Sequence, residues 1–130
     1  MIAHVNYPAI DAMAAGFSSI WIGEILRKEM GFNGIVIGDD IGMAAAEAMG
    51  GIPARIEAHL RAGCELILAC NPAIVEQSVT ATAHLPACPA ARVESLRGAA
   101  APTWEALEDN PKRDEAISRL AEFCPDPSSK

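Results

Sequence analysis

The sequence predicts an α/β fold in which short buried strands alternate with helices. Two runs, Ile35–Ile37 and Leu66–Ala69, are apolar on both faces, as strands buried in parallel sheets are. The segments between them space their apolar residues as helices do, and a content of only 5% aromatic residues favours helices over a β-sandwich. This alternation indicates βα units with right-handed crossovers around a parallel sheet.

The first strand–helix unit occupies the beginning of the chain. Ile2–Val5 is predicted to be the end of a strand. Ser18 or Ser19 is suited to cap the helix that follows, and Gly31 fits the left-handed position that ends it. One face of this helix carries apolar residues at every fourth position, namely Ile22, Leu26 and Met30.

Two further units follow. Pro53 sits well in the first turn of one helix, which Gly63 ends, and Asn71 and Pro72 are suited to start the next. The predicted order is strand 35–37, helix 43–49, helix 53–62, strand 66–69 and helix 72–84.

Residues 86–130 differ in composition from residues 1–85. Six prolines interrupt two or three short predicted helices, and the final PDPSSK is expected to be frayed. The chain is therefore predicted to consist of an α/β portion, 1–85, and a Pro-rich helical extension, 86–130. Two to three βα units cannot close a sheet, since a barrel of this kind needs eight strands, so open sheet edges are expected to favour self-association.

Charge and composition exclude several classes of function. The formal net charge of −7 disfavours nucleic acid as a partner, because phosphate binding depends on Lys and Arg. No uncharged apolar run approaches the ~20 residues of a membrane span, and the first residues lack the basic region of a secretory signal. The four cysteines form no CxxC pair, which predicts reduced thiols, a cytoplasmic location and no zinc site.

Asp39 and Asp40 are the most informative polar pair. They follow a predicted buried strand, and ligands of α/β folds bind at the carboxyl ends of strands. Adjacent residues on an extended strand point to opposite sides, so at most one of them faces a site. The alternative is that one of them caps the following helix.

Two other polar residues follow predicted strands. His4 lines the same edge of the sheet, or it is hydrogen-bonded within the core or loop. Asn71 contacts a ligand, or it caps the helix that starts at Pro72. His59 and His84 fall inside helical patterns and are expected to be solvated.

Three motifs occur in order along the chain. They are AHV at residues 3–5 with Tyr7–Pro8 after it, LRKEMGFNGIVIGDDIGM at 26–43, and AGCELILACN at 62–71. Together they resemble the second half of the bacterial β-N-acetylhexosaminidases of glycoside hydrolase family 3. Three motifs at natural spacings are far more specific than any one of them, and the resemblance covers about residues 2–85.

The resemblance implies that residues 1–85 are the last two to three βα units of a (β/α)₈ TIM barrel. It also implies a retaining enzyme that removes terminal β-linked N-acetylglucosamine from peptidoglycan fragments during cell-wall recycling in the cytoplasm, without a metal or organic cofactor. The family's nucleophile is the first aspartate after the strand, which maps onto Asp39. The candidate substrate-binding residues are His4, Asp40, Met43 and Asn71.

The chain departs from the family pattern in two respects. Gly38 stands where the family usually has Ser, and the family's His–Asp acid/base dyad and its sugar-gripping Lys-His motif are absent from these residues. Because a general acid contributes about 10²–10⁴ in rate, the isolated chain is expected to be inactive. The alternative function is a catalytically inactive partial barrel that acts through self-association or by pairing with a complementary half.

Overall fold

The computed structural model describes residues 1–98 and 101–123. The chain divides into two compact units, Met1–Ser95 and Leu96–Lys130. The first unit extends beyond residue 85, where the change in composition places the boundary, because Arg92 reaches back to an ion pair with Glu65. The predicted frayed tail, PDPSSK, lies outside the described residues.

The first unit contains strands, α-helices and other helical segments. The strands are β1 (Asn6–Tyr7), β2 (Asp11–Ala14), β3 (Ile37–Gly38) and β4 (Leu66–Ile67). The α-helices are α1 (Ile52–Ala62), α2 (Pro72–Thr82) and α3 (Ala90–Glu94). Two 3-10 segments, Ala15–Phe17 and Ala44–Met49, and a wider helix, Ile20–Glu29, complete it.

Three segments of the chain lie parallel to one another in chain order. Ile2 forms a bridge with Gly38, and β3 pairs with β4, with Ile37 opposite Leu66. The helix Ile20–Glu29 connects the first segment to the second, and the 3-10 segment Ala44–Met49 with α1 connects the second to the third. The predicted α/β alternation is therefore confirmed, although the strands are shorter than the apolar runs predict.

A β-hairpin follows the first parallel segment, and the sequence pattern does not predict it. β1 and β2 pair antiparallel, with a register shift between Asn6 and Tyr7. Asp11 at the start of β2 then accepts a hydrogen bond from the Ser18 hydroxyl at 2.5 Å. Ser18 Oγ in turn accepts the Trp21 N–H at 3.1 Å, so Ser18 rather than Ser19 caps the following helix.

The helix Ile20–Glu29 differs from the predicted α-helix in its hydrogen bonding. It is π-helical, and the pattern continues at its end, where the Met30 N–H donates to the Ile25 carbonyl five residues earlier at 2.9 Å. Gly31 follows with a φ of 68°, in the left-handed region, as predicted. The wider turn still directs Ile22 inward, where it is fully buried.

The buried apolar residues of the first unit form two clusters. One contains Ile22, Val36, Ala62 and Cys64, and the other contains Ile41, Ile52 and Ile56. Because helix α1 contributes residues to both clusters, it connects them.

The described part of the second unit contains two helices. They are α4 (Trp104–Glu108), whose first turn is capped by the Thr103 hydroxyl accepting the Ala106 N–H at 3.2 Å, and α5 (Pro111–Phe123). Trp104 is 82% exposed, so this tryptophan is not a core residue of α4. None of the helices in the described part of the chain has the length and apolar character that crossing a membrane requires.

Glu65, immediately before β4, joins several segments through its carboxylate. It pairs with Arg27 at 2.9 Å and with Arg92 at 2.6 Å, and it accepts the Val36 N–H at 3.1 Å. Burial acts to raise the pKa of Glu65, but the Val36 amide and the two arginines outweigh it and hold the pKa below its ordinary value of 4.5. A carboxyl whose pKa is lowered on folding stabilises the fold above that value, and the stabilisation is lost as the pH falls through the folded-state pKa.

We expect Glu65→Gln to lower the free energy of unfolding by about 1–3 kcal/mol at pH 7, because it breaks the ion pairs with both arginines. It should also flatten the loss of stability below about pH 4.5. Denaturant unfolding monitored by circular dichroism between pH 3 and 7 measures both effects. The control is Glu57→Gln, which removes only an exposed pair with Arg61 and should change stability by less than ~0.5 kcal/mol. Equal losses for the two variants would contradict the role given to Glu65.

Candidate functional site

Asp39 directly follows β3, at the carboxyl end of the parallel segments. Its backbone N–H donates to the Ile2 carbonyl at 3.2 Å, which anchors it beside the first segment. Its Oδ1 accepts the N–H of Asp40 at 2.8 Å, while Oδ2 makes no hydrogen bond within the described part of the chain. The residue is half-buried, and Oδ1 is the one carboxylate oxygen that the described part of the chain holds.

Asp40 has a different environment. Its Oδ1 accepts two backbone N–H groups, from Cys70 at 3.0 Å and from Gly42 at 2.9 Å. These hydrogen bonds, that of Cys70 first, hold the pKa of Asp40 below its ordinary value. The carboxylate therefore connects the chain after β3 to the chain after β4, which is a structural role for a residue that the resemblance offers as a substrate contact.

His4 lies next to this pair of carboxylates, and its polar atoms face the protein. Nε2 is 2.9 Å from Nε2 of His59, and Nδ1 is buried without a hydrogen-bond partner among the described residues. The ring stacks on Phe17, with centroids 4.8 Å apart and planes inclined by 10°. Burial lowers the pKa of His4, although the charges of Asp39 and Asp40 act in the opposite direction. The ring of His4 is thus in contact with His59 through one nitrogen and lies within electrostatic reach of both carboxylates.

His59 on helix α1 is fully buried, so the expectation that it is solvated is wrong. Its ring contacts Phe17 at a centroid distance of 4.4 Å, and its Nδ1 is 3.5 Å from Cys64 Sγ. Burial, and next the proximity of His4, lower the pKa of His59 to about 4, while burial raises the pKa of the Cys64 thiol to about 11. The sequence does contain a sign that His59 is buried, because it follows Ile52 and Ile56 at helical spacing on the buried face of α1.

Arg55 also belongs to this region, and the motifs give no sign of it. Its Nη1 donates to the Ile41 carbonyl at 2.7 Å and its Nε to the Gly50 carbonyl at 2.7 Å. Its charge reaches His4, where it favours the neutral ring. Arg55 thus fixes the loop that follows Asp40 and adds a positive charge near the two carboxylates.

The other two candidates for substrate binding have structural roles or are exposed. Asn71 Oδ1 accepts the Ala73 N–H at 2.9 Å and thereby caps helix α2, which is the alternative that the sequence left open. Met43, whose side chain is exposed, donates its N–H to the Asp40 carbonyl at 3.1 Å. The structure therefore groups His4, Asp39 and Asp40 and leaves Met43 and Asn71 at the periphery.

An open cavity of about 220 Å³ lies near this group, between the β-hairpin and the 3-10 segment Ala44–Met49. Phe17, which stacks on His4, lines it together with Met13 and Met49. Asp39 does not line this cavity. Within residues 1–98 and 101–123, no three His, Cys, Asp or Glu side chains come together in an arrangement that would hold a metal ion.

Parallel segments that present carboxylates at their carboxyl ends define an α/β domain whose ligand edge lies after its strands. The family described as Glycosyl hydrolase family 3 N terminal domain matches residues 1–96. This chain belongs to that family, which confirms the resemblance carried by the three motifs.

Similar proteins give the same family. A protein named beta-hexosaminidase from Stenotrophomonas maltophilia (strain K279a) is 43% identical over 122 residues, which cover 94% of this chain and 36% of the relative. The crystal structure of native NagZ from Neisseria gonorrhoeae matches with a TM-score of 0.64 at 30% identity, over 95% of this chain and 37% of that one. NagZ from the same organism in complex with N-trifluoroacetyl-D-glucosamine matches with a TM-score of 0.62 at 30% identity, over 97% and 37% of the two chains. The chain thus spans about a third of the length of the relatives it matches.

The different environments of the two aspartates predict different losses of stability when each side chain is truncated to alanine. We expect Asp40→Ala to lower the free energy of unfolding by about 1–3 kcal/mol, because the N–H groups of Cys70 and Gly42 lose their acceptor. Asp39→Ala loses only a hydrogen bond to the adjacent residue and should cost less than ~0.5 kcal/mol. Thermal and urea unfolding of the two variants compares them directly. A larger loss for Asp39→Ala would contradict this assignment of roles.

Proposed function

We propose that this chain carries the nucleophile-bearing segment of a retaining β-N-acetylhexosaminidase, with Asp39 as the nucleophile. The observation that carries the proposal is the position of Asp39. It follows β3 at the carboxyl end of parallel segments, in a chain of glycosyl hydrolase family 3, with one carboxylate oxygen held by an N–H and the other unpartnered within the described part of the chain. Asp40 also has one oxygen without a hydrogen bond among the described residues, because both of its amide partners bind Oδ1, so the assignment to Asp39 depends on its place as the first aspartate after β3.

The proposed chemistry is a double displacement. An oxygen of ionised Asp39 forms a bond to the anomeric carbon as the bond to the leaving oxygen breaks, and the leaving oxygen takes up a proton. Water then hydrolyses the glycosyl ester, which releases the sugar with retained configuration and restores the carboxylate. The Asp40 N–H, which donates to Oδ1 at 2.8 Å, holds one oxygen of the Asp39 carboxylate in place. The proton donor for the leaving oxygen is the family's His–Asp dyad, which these 130 residues do not include.

The proposed substrate is a glycan that ends in β-linked N-acetylglucosamine, with peptidoglycan fragments in cell-wall recycling as the natural source. Support comes from the relatives named beta-hexosaminidase and from the NagZ structure with N-trifluoroacetyl-D-glucosamine. A cytoplasmic location is part of the proposal, and the free thiols of Cys64, Cys70 and Cys88 are in keeping with a reducing compartment. The first unit would then supply the last two to three βα units of a (β/α)₈ barrel, and its parallel order is the order such a barrel requires.

A substrate with an activated leaving group tests the role of Asp39 in this chain directly. Dinitrophenolate leaves without protonation, so a dinitrophenyl N-acetylglucosaminide does not need the dyad. We expect slow release of dinitrophenolate that Asp39→Asn reduces by on the order of 10³-fold, and no turnover of glycosides with poor leaving groups. A fluorinated analogue that forms a stable ester should add the mass of one sugar to the peptide containing Asp39.

The control variant for this assay is Asp114→Asn, which changes a carboxylate on helix α5 outside the first unit. It should leave both the rate and the labelling unchanged. A wild-type rate equal to that of Asp39→Asn, or a sugar attached to another residue, would contradict the proposal.

A second candidate function is self-association through the open edge of the sheet, with or without catalysis. Among the described residues, β4 pairs only with β3, so one side of Leu66–Ile67 lacks a strand partner. Leu68, the next residue, is 36% exposed. Unpaired strand edges with apolar neighbours favour pairing with another chain.

Sedimentation velocity over a range of protein concentrations tests this candidate function. If the edge of β4 mediates association, the sedimentation coefficient should rise with concentration, and Ile67→Pro should abolish the rise because proline cannot donate to a ladder at that edge. The control is Val79→Lys, which changes an exposed residue of helix α2 and leaves β4 unaltered. A compact monomer at every concentration, with a cooperative melting transition, would exclude self-association.

A further inference from the structure

The ring of His59 fills a narrow slot that two glycines border. A Cβ atom built on Gly38 would lie 2.7 Å from His59 Nδ1, which is closer than real contacts allow. A Cβ atom on Gly16 would lie 3.0 Å from His59 Cε1. The buried ring of His59 takes the space that a side chain at position 38 would need.

His59 also fixes the ring of His4. The contact of 2.9 Å between the two Nε2 atoms holds one edge of His4, and Phe17 covers one of its faces. His4 in turn lies within electrostatic reach of Asp39 and Asp40. His59 is therefore connected to the carboxylate pair by two routes: through the backbone at Gly38, directly before Asp39, and through the ring of His4.

We infer that His59 is a positioning residue for Asp39, because its ring sets the backbone path at Gly38 and holds His4 against the Asp39–Asp40 segment. The inference rests on the proposed function, since it assigns His59 to the support of the nucleophile. It differs from a packing role alone, because a packing residue would affect stability without affecting the carboxyl group of Asp39.

The contact between the histidines also constrains their protons. One Nε2 must donate and the other must accept, so the contact cannot form when both rings are protonated. The charged groups that reach His4 are Asp39, Asp40 and Arg55, and those that reach His59 are His4 and Asp39. The Cys64 thiol beside His59 Nδ1 stays protonated up to about pH 11, since burial raises its pKa to that value. The pair is therefore intact at neutral pH and opens in acid.

Nuclear magnetic resonance of the chain with labelled histidine and aspartate tests the inference. We expect one of His4 and His59 to carry its proton on Nε2 and the other to have a bare Nε2 at pH 7. His59→Ala should change the carboxyl ¹³C shift of Asp39 at the same pH. The matched control is His84→Ala, which removes an exposed histidine and should leave Asp39 unchanged.

A double-mutant cycle tests the steric part. Gly38→Ser alone should lower the melting temperature, because its Cβ meets the ring of His59. Combining it with His59→Ala should recover at least half of that loss, because the slot is then empty. His59→Gln, which keeps a hydrogen-bonding group near His4, should restore part of the wild-type Asp39 signal. If His59→Ala does not fold, His59→Gln and the double variant provide the same comparison.

Two results would overturn the inference. One is an Asp39 carboxyl signal that is unchanged in a folded His59 variant, and the other is additive loss of stability in the cycle. Neither depends on catalysis. If sugar labelling at Asp39 fails while the Asp39 carboxyl signal still responds to substitution of His59, only the proposed function is refuted. If labelling succeeds while that signal does not respond, only the role of His59 is refuted.

Discussion

The backbone of Gly38 and Asp39 is held by hydrogen bonds from both sides, and the candidate site depends on this constraint. On one side the Asp39 N–H donates to the Ile2 carbonyl, and on the other the Leu68 N–H donates to the Gly38 carbonyl. The strands are only two residues long, so these few bonds define the parallel sheet. Because these hydrogen bonds act at the end of the strand, they fix the position of the Asp39 backbone, from which the carboxylate projects.

The two adjacent aspartates show how one strand end separates structural and chemical roles. Extended backbone directs them to different surroundings. Oδ1 of Asp40 accepts hydrogen bonds from the amides of Cys70 and Gly42, and these bonds connect the segment after β3 to the segment after β4. Oδ1 of Asp39 accepts one amide N–H, and its Oδ2 has no hydrogen bond within the described part of the chain. The carboxylate of Asp40 therefore connects two parts of the chain, whereas that of Asp39 is bonded only to the adjacent residue.

The local elements could be predicted from the sequence because each has a local signal. Gly31 and Gly63 end their helices in the left-handed region, and Asn71 caps α2, as their residue types indicate. The long-range contacts could not be predicted in the same way. The ion pairs of Glu65 join residues that lie far apart in the chain, and the antiparallel hairpin after Ile2 has no alternating pattern. His59 lies between these cases, since its helical spacing indicated burial but its residue type suggested solvent.

Gly38 and His59 form one packing unit at the end of β3, because the buried ring on helix α1 lies where a side chain at position 38 would stand. The same ring carries hydrogen-bonding groups, which lie 2.9 Å from His4 Nε2 and 3.5 Å from Cys64 Sγ. A side chain added at position 38 would press on the ring, whereas removal of the ring would leave a cavity and take away the partner of His4. Because both changes act on the same few atoms directly before Asp39, the two positions should be studied as a pair.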